Sequence, residues 1–200
     1  MKSALIIFVR NPEAGKVKTR LAKTVGVDQA LHIYEELLQH THQITKDLQC
    51  DKFVFYADRI NENDLWENHI YQKRLQRGSG LGDRMLEAFV DLFMMRYTKI
   101  QIIGSDCYEL TTGIIETGFE KLNEKDVVIG PSADGGYYLL GTNQIITELF
   151  YNKEWGTGKV LPATMEDINK LSLTCFELPQ LRDIDTEEDW LLYQRGIKLI

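Results

Sequence analysis

Acidic side chains stand where apolar runs of the sequence end. Asp106 follows the run Lys99–Gly104 almost directly, and Asp183 and Asp185 lie two residues apart near the C-terminus. In an extended chain, residues two apart point to the same side. Carboxylates at strand ends commonly hold Mg²⁺ or Mn²⁺, with phosphates of a ligand completing the shell. These acids predict a metal site, although Asp106 could instead cap the next helix.

Basic side chains are concentrated in residues 10–20, in a chain whose formal net charge is -7. The basic members are Arg10, Lys16, Lys18 and Arg20. Lys and Arg donate to phosphate oxygens, and Gly15 permits close approach of the backbone. An adjoining helix N-terminus would add free N–H groups. The segment matches neither a Walker A motif nor a dinucleotide fingerprint, so a phosphate site and a solvated basic turn stay open as alternatives.

Two glycine-rich segments are weaker candidates. In Ala133–Tyr137, a hairpin turn would explain the glycines, while a functional role would make Asp134 a carboxylate that faces an acceptor. Asp134 would then be the catalytic base for an acceptor hydroxyl in an inverting enzyme. The segment Gly78–Arg84 could cradle a base or ribose, or be only a turn before a helix.

Composition narrows the class of protein. An acidic chain of 200 residues with 44% hydrophobic residues indicates one globular domain, residues 1–200, and argues against a general nucleic-acid binder. The apolar run 4–9 is far shorter than the roughly 20 residues that a membrane span needs. Three cysteines without metal-ligand spacing indicate a reduced, cytoplasmic protein. Cys107 is expected to be a buried neighbour rather than a nucleophile, because no histidine lies near it.

Alternating apolar runs and helical patterns predict the elements that position these residues. Strands are expected at 3–9, 52–57, 70–75, 99–104, 126–130, 136–141 and 173–177, and helices at about 27–48, 84–97, 111–122, 157–171 and from Thr186. Thr111 or Thr112, Thr157 and Thr186 are expected to cap helices, the last in a capping box with Asp189. The pattern predicts an α/β fold with a mostly parallel sheet. Ligands of such sheets bind beyond the carboxyl ends of the strands.

Together these motifs resemble the small GT-A-type glycosyltransferase family, which has a nucleotide-diphospho-sugar transferase fold. The matching segments are Asn11–Leu21, Gly78–Met85, Gly104–Cys107, Ala133–Tyr137, Trp155 with Thr157, and Asp183–Thr186. They span nearly the whole chain in order. The resemblance implies a Rossmann-like three-layer sandwich around a mostly parallel sheet. Members are commonly labelled glycosyltransferases, some of them linked to arsenosugar synthesis.

The resemblance also implies residue roles. Lys18 and Arg20 would bind phosphates, and Asp106 would hold Mg²⁺ or Mn²⁺ with Asp185 as second ligand. The wider nucleotide side comprises Arg10, Gly15, Lys16, Gly80, Gly82 and Arg84, and the acceptor side comprises Gly135, Gly136, Tyr137 and Trp155. One departure is visible, because Tyr108 stands where the family usually has proline. Tyrosine does not fix φ, so the acceptor side of this loop could differ.

Three functions remain open from the sequence. The first is metal-dependent glycosyl transfer from a nucleotide-diphosphate sugar to a small acceptor. The second is nucleotidyl transfer that releases pyrophosphate from a nucleoside triphosphate, because the start and the acidic ending also resemble phospholactate guanylyltransferases. The third is a catalytically silent nucleotide-binding protein, which acids at both metal positions disfavour. Neither a nucleic-acid partner nor a membrane span is expected, and a homodimer is left open.

Overall fold

A seven-stranded sheet forms the centre of the computed structural model, which describes residues 2–195. The strands are β1 (Ser3–Val9), β2 (Asp51–Tyr56), β3 (Tyr71–Leu75), β4 (Lys99–Ile103), β5 (Val127–Pro131), β6 (Tyr137–Thr142) and β7 (Cys175–Glu177). Their order across the sheet is β3-β2-β1-β4-β6-β5-β7. Among the described strands, β6 alone runs antiparallel to its neighbours. The prediction of a mostly parallel sheet is confirmed.

Helices cover both faces of the sheet. They are α1 (Ala22–Val25), α2 (Val27–Thr45), α3 (Leu81–Met94), α4 (Thr112–Lys121), α5 (Val160–Lys170) and α6 (Glu187–Gln194). Tyr34 of α2 and Ile115 of α4 pack in one apolar core with the sheet, and Phe89 of α3 and Ile168 of α5 pack in the core of the opposite face. The chain therefore folds as the expected three-layer sandwich.

The apolar run of β1 is explained by its central position. Leu5 and Ile7 enter the core beneath α2, while Ala4 and Ile6 enter the core beneath α3. All four side chains are fully buried. A strand covered by helices on both faces has no solvent-facing side, so its residues need not alternate between apolar and polar. The neighbours β2 and β4 pair with β1 in parallel, which is typical of sheets with helices on both faces.

Two predicted helix starts are wrong. Helix α3 begins at Leu81 rather than at residue 84, so Gly82 lies in its first turn and not in a loop. A Cβ on Gly82 would collide with the Phe150 carbonyl oxygen and the Trp155 indole, so glycine is needed there for packing. Helix α5 begins at Val160 with Lys159 as its N-cap. Thr157 instead donates its hydroxyl to the Glu154 carbonyl in the preceding turn.

The two other predicted caps are present. The Thr111 hydroxyl accepts a hydrogen bond from the Ile114 N–H at the start of α4. Thr186 and Asp189 form the expected capping box at the start of α6. That box fixes the direction in which the chain enters α6 directly after Asp185. Cys50, Cys107 and Cys175 are free thiols, and none of the helices within residues 2–195 is long and apolar enough to cross a membrane.

Candidate active site

A cavity of about 710 Å³ opens beyond the carboxyl ends of β1 and β4. In the sheet, β2 lies on one side of β1 and β4 lies on the other. The cavity is therefore at the switch point of the strand order, where ligands of α/β folds bind. The loop after β1, the loop after β4, the β5–β6 turn and the segment before α6 all contribute to its lining. Four segments that are distant in the sequence therefore meet in one cavity.

Most of the residues that the sequence analysis singled out line this cavity. They are Arg10, Lys16, Lys18, Arg20, Gly80, Arg84, Asp106, Asp134, Gly136, Tyr137, Trp155 and Asp185. Gly15, Gly82 and Gly135 lie outside the lining and have local structural explanations. Gly15 has a φ of 77° in a tight turn, and a Cβ on Gly135 would lie 2.5 Å from the Gly158 carbonyl oxygen.

The Lys18 ammonium lies at the centre of the acidic end of the cavity. Its Nζ lies 3.0 Å from Asp106 Oδ1 and 3.1 Å from Asp185 Oδ1, and it donates to the Ile184 carbonyl at 2.6 Å. The side chain is only 5% exposed. Burial acts to lower the pKa of Lys18, but the charges of Asp106 and Asp185 outweigh it and raise the pKa. Lys18 is therefore a charged, buried ammonium that contacts two carboxylates and one carbonyl.

Asp106 and Asp185 converge on a single cation position. One oxygen of each carboxylate lies within 3.1 Å of the same nitrogen atom. Mg²⁺ is usually bound by one or two carboxylates, with water and substrate phosphates completing its octahedron. Across residues 2–195, no three His, Cys, Asp or Glu side chains form a cluster that could hold a metal. The donor set thus fits a divalent ion that shares its shell with a ligand, and does not fit a closed protein cage.

Asp183 and Asp185 face different partners despite their spacing. Asp185 faces Lys18, whereas Asp183 accepts a hydrogen bond from the Ser132 hydroxyl at 2.8 Å. Burial, followed by the nearby charge of Asp106, raises the pKa of Asp183 to about 7. Asp183 therefore carries less negative charge near neutral pH than an exposed carboxylate, and its hydrogen bond links the β5–β6 turn to the segment before α6.

The other basic side chains of the cavity are more exposed than Lys18. The Arg20 side chain is 73% exposed, and its Nη1 lies 4.0 Å from Asp185 Oδ2. Arg84 reaches the cavity from α3, where its Nε donates to the Gly78 carbonyl. The Lys16 ammonium lies 2.6 Å from Glu13 and is 67% exposed. The cavity thus combines the half-exposed Asp106 and Asp185 carboxylates, which flank the buried Lys18 ammonium, with exposed cations.

Asp134 both stabilises a turn and lines the cavity. Its Oδ1 accepts a hydrogen bond from the Gly136 N–H at 2.8 Å, which stabilises the turn between β5 and β6. The residue is also exposed and lines the cavity. Beside it, the rings of Tyr137 and Trp155 pack edge to face with centroids 6.2 Å apart. A hairpin turn therefore presents a carboxylate next to an aromatic wall.

The hydroxyl of Tyr34 joins the loops on either side of the cavity. It accepts from the Arg10 N–H at 2.9 Å and donates to the Arg10 carbonyl at 3.2 Å, and the Ser105 hydroxyl lies 3.4 Å away. Burial raises the pKa of Tyr34 to about 12, so the group stays a neutral donor. The helical spacing of α2 predicts a buried side chain at this position, but it carries no signal for the hydroxyl contacts.

Tyr108 points away from the cavity. Its ring stacks on His40 of α2 with centroids 4.2 Å apart, and it packs against Tyr193 of α6 at 3.9 Å. The tyrosine that replaces the usual proline thus packs between two helices and does not line the cavity. Cys107 is buried, and burial raises the pKa of its thiol, which agrees with the prediction that it is not a nucleophile.

Similar solved structures share this architecture. A crystal structure described as a "putative nucleotide-diphospho-sugar transferase" from Desulfovibrio desulfuricans G20 is 31% identical, with 99% of this chain and 89% of that chain covered and a TM-score of 0.92. The CMP:2-keto-3-deoxy-manno-octonic acid synthetase complexed with CTP is 11% identical, with 98% and 100% covered and a TM-score of 0.59. The inositol-1-phosphate CTP transferase from T. maritima is 11% identical, with 94% and 91% covered and a TM-score of 0.56.

The last two likenesses show a shared fold alone, and the first confirms the nucleotide-diphospho-sugar transferase fold. A family profile described as "Uncharacterized protein conserved in bacteria (DUF2064)" matches residues 39–157. No curated protein matches the chain.

Proposed function

The chain belongs to the family described as uncharacterized proteins conserved in bacteria (DUF2064), and we propose that it is a metal-dependent glycosyltransferase acting on a nucleotide-diphosphate sugar. One observation carries the proposal. Asp106 and Asp185 converge on one cation position inside a cavity that also presents exposed arginines and the Asp134 carboxylate. Incubation with nucleotide sugars and Mn²⁺, with free nucleoside diphosphate as the measured product, tests it.

The acidic end would hold the metal. Asp106 and Asp185 supply two hard oxygen ligands, which suit Mg²⁺ or Mn²⁺. When bound, such an ion stabilises the negative charge of a departing diphosphate. Arg20 and Arg84 lie where they can donate to phosphate oxygens with a planar, charged fork. Donor binding would therefore be shared between the carboxylate end and the arginines.

The β5–β6 turn would serve the acceptor. Asp134 is the free carboxylate of the turn, and we assign to it the acceptance of the proton from the attacking hydroxyl. Gly136 leaves space next to it, and Tyr137 and Trp155 offer aromatic surface for the apolar C–H side of a sugar ring. The acceptor is a small molecule in this proposal.

Nucleotidyl transfer is the second candidate. The CTP complex of the synthetase with the same fold indicates that this architecture accommodates a triphosphate in that protein. Such a reaction requires the loop after β1 to wrap the departing pyrophosphate, which glycine-rich backbone does best. Here the loop lines the cavity with side chains from Arg10 and residues 16–20, and Gly15 stays outside. This difference favours the glycosyltransferase.

The arginines provide a first test of the donor site. We expect Arg20→Gln to weaken binding of a nucleoside diphosphate with Mn²⁺ by about 1.5–3 kcal/mol, the range for hydrogen bonds to charged groups. Binding of the bare nucleoside should hardly change, because Arg20 is placed to meet phosphate. Isothermal titration calorimetry with both ligands measures the two affinities.

Lys23→Gln is the matched control for Arg20. Lys23 lies three residues further on, is exposed and does not line the cavity. Lys23→Gln removes one positive charge near Arg20, so it measures the general effect of net charge on binding of the diphosphate. Equal weakening by both variants, or equal weakening of diphosphate and nucleoside by Arg20→Gln, would mean that Arg20 does not contact phosphate.

A further inference from the structure

We propose that the Lys18 ammonium is an internal counter-ion that occupies the cation position between Asp106 and Asp185 and is displaced when a divalent metal binds. Once displaced, it faces the cavity, where it can meet the diphosphate. The inference rests on the proposed metal-dependent function and adds to it the order of events at the site. Binding of the metal would thus release the Lys18 ammonium, which could then contact the phosphates.

The first support is that the Lys18 ammonium is already engaged by the protein in this arrangement. It donates to Asp185 Oδ1 at 3.1 Å and to the Ile184 carbonyl at 2.6 Å, and it forms an ion pair with Asp106 Oδ1 at 3.0 Å. The side chain is also 95% shielded from solvent, since only 5% is exposed. A phosphate-binding role for Lys18 therefore requires that these contacts break first.

The second support is electrostatic. A metal bound by Asp106 and Asp185 would occupy the space that the Lys18 Nζ fills, and two cations at contact distance in a partly buried site repel strongly. Without any cation, the Asp106 and Asp185 carboxylates, which converge on this position, would face each other uncompensated. The site thus requires one cation, and the ammonium and the metal are alternatives.

The third support is the backbone of Lys18 itself. Its φ is +45°, in a region that residues other than glycine rarely adopt. Such a conformation persists only where the surroundings hold it. The Lys18 side chain is held by the contacts of its ammonium with Asp106, Asp185 and the Ile184 carbonyl, so their loss on metal binding would free it. Lys18 and its neighbours Val17 and Thr19 all line the cavity, so the freed ammonium remains beside the ligand.

Lys73 is a matched buried lysine outside the cavity. Its side chain is 4% exposed, and its Nζ lies 2.7 Å from the Asn61 carbonyl and 2.8 Å from Asp64 Oδ1. It therefore shares the burial and the kind of acceptors of Lys18, but only one carboxylate faces it. Lys73→Met controls for the general effect of removing a buried ion pair.

The deciding measurement is the affinity for Mn²⁺ alone, without nucleotide, by calorimetry or electron paramagnetic resonance. We expect Lys18→Met to bind Mn²⁺ at least about tenfold more tightly than the wild-type chain, because the metal no longer has to break the charged hydrogen bonds of Lys18. Lys73→Met should leave the affinity within about twofold. Unchanged or weaker Mn²⁺ binding by Lys18→Met overturns the proposal.

An experiment on the wild-type chain tests the same proposal if Lys18→Met does not fold. Amine acetylation, followed by peptide mass spectrometry, reports the accessibility of Lys18. We expect slow labelling of Lys18 without metal, at least about tenfold faster labelling with saturating Mg²⁺, and renewed protection on addition of a nucleoside diphosphate. Labelling of Lys18 that is unchanged or slowed by Mg²⁺ overturns the exchange.

These outcomes separate the inference from the proposed function. Tighter Mn²⁺ binding by Lys18→Met, in a protein that releases no nucleoside diphosphate from any nucleotide sugar, supports the exchange and contradicts glycosyl transfer. Metal-dependent turnover of the wild-type chain, together with unaltered Mn²⁺ affinity of Lys18→Met, retains the transferase and overturns the counter-ion.

Discussion

Replacing Asp106 with asparagine is expected to lower metal-dependent release of nucleoside diphosphate from a nucleotide sugar at least about 10³-fold, equivalent to about 4 kcal/mol of transition-state stabilisation. Asp106 supplies one of the two carboxylates that converge on the cation position. Asparagine keeps the size and one acceptor oxygen but removes the charge. Asp185 then supplies the remaining carboxylate, and the metal must compete with Lys18 for it.

Calorimetry with and without chelator measures the binding part of this prediction. The wild-type chain should bind nucleoside diphosphate much more tightly with Mn²⁺, and Asp106→Asn should show little difference between the two conditions. Asp58→Asn is the matched control, because Asp58 is an exposed acid beyond β2 that does not line the cavity. Wild-type binding that is equally tight in both conditions would contradict a metal at Asp106.

Asp134→Asn should lower kcat by a factor of at least about 10², the lower range for loss of a general base. Donor affinity should be unchanged, because Asp134 lies on the acceptor side of the cavity. The substitution suits the question well, since asparagine can still accept the Gly136 N–H that stabilises the turn. The variant therefore removes the proton acceptor and keeps the hairpin.

Stopped assays of turnover and calorimetry of donor binding, on the same preparation, separate the two roles of Asp134. A loss of kcat with normal donor affinity and normal thermal stability identifies the base. Near-normal turnover would reduce Asp134 to a turn residue. A parallel loss of stability would place the defect in the turn itself. Asp126→Asn offers a comparison, because the Asp126 carboxylate joins the segments before β5 and β7 through Thr174 and does not line the cavity.

Much of the fold could be predicted because its signals are local. The unbroken apolar run of β1 indicated a strand covered on both faces, and Thr186 with Asp189 indicated the start of α6. The starts of α3 and α5 were wrong because they depend on distant packing. Gly82 reads as a loop glycine, yet its role is to let Phe150 and Trp155 approach a helix, and that contact has no counterpart in the neighbouring sequence.

The sequence indicated which segments meet at the strand ends, but not which contacts their residues make. The basic and acidic segments were expected to lie at the strand ends, and their residues do line one cavity. Lys18 and Asp185 are 167 positions apart in the sequence, so no local pattern could predict their contact. The same holds for Tyr34, whose spacing indicated burial while its hydroxyl contacts Arg10 and Ser105.

The product of the reaction tests the central claim most directly. The purified chain is incubated with Mn²⁺ and, in separate reactions, a panel of nucleotide-diphosphate sugars or a panel of nucleoside triphosphates with sugar phosphates or phospholactate. Free nucleoside diphosphate and pyrophosphate are quantified in every reaction. We predict slow, chelator-sensitive release of nucleoside diphosphate from a nucleotide sugar, with water as a poor acceptor, and no pyrophosphate from any triphosphate. Pyrophosphate formed at a substantial rate, without release of nucleoside diphosphate from any nucleotide sugar, would contradict glycosyl transfer and assign the cavity to nucleotidyl transfer.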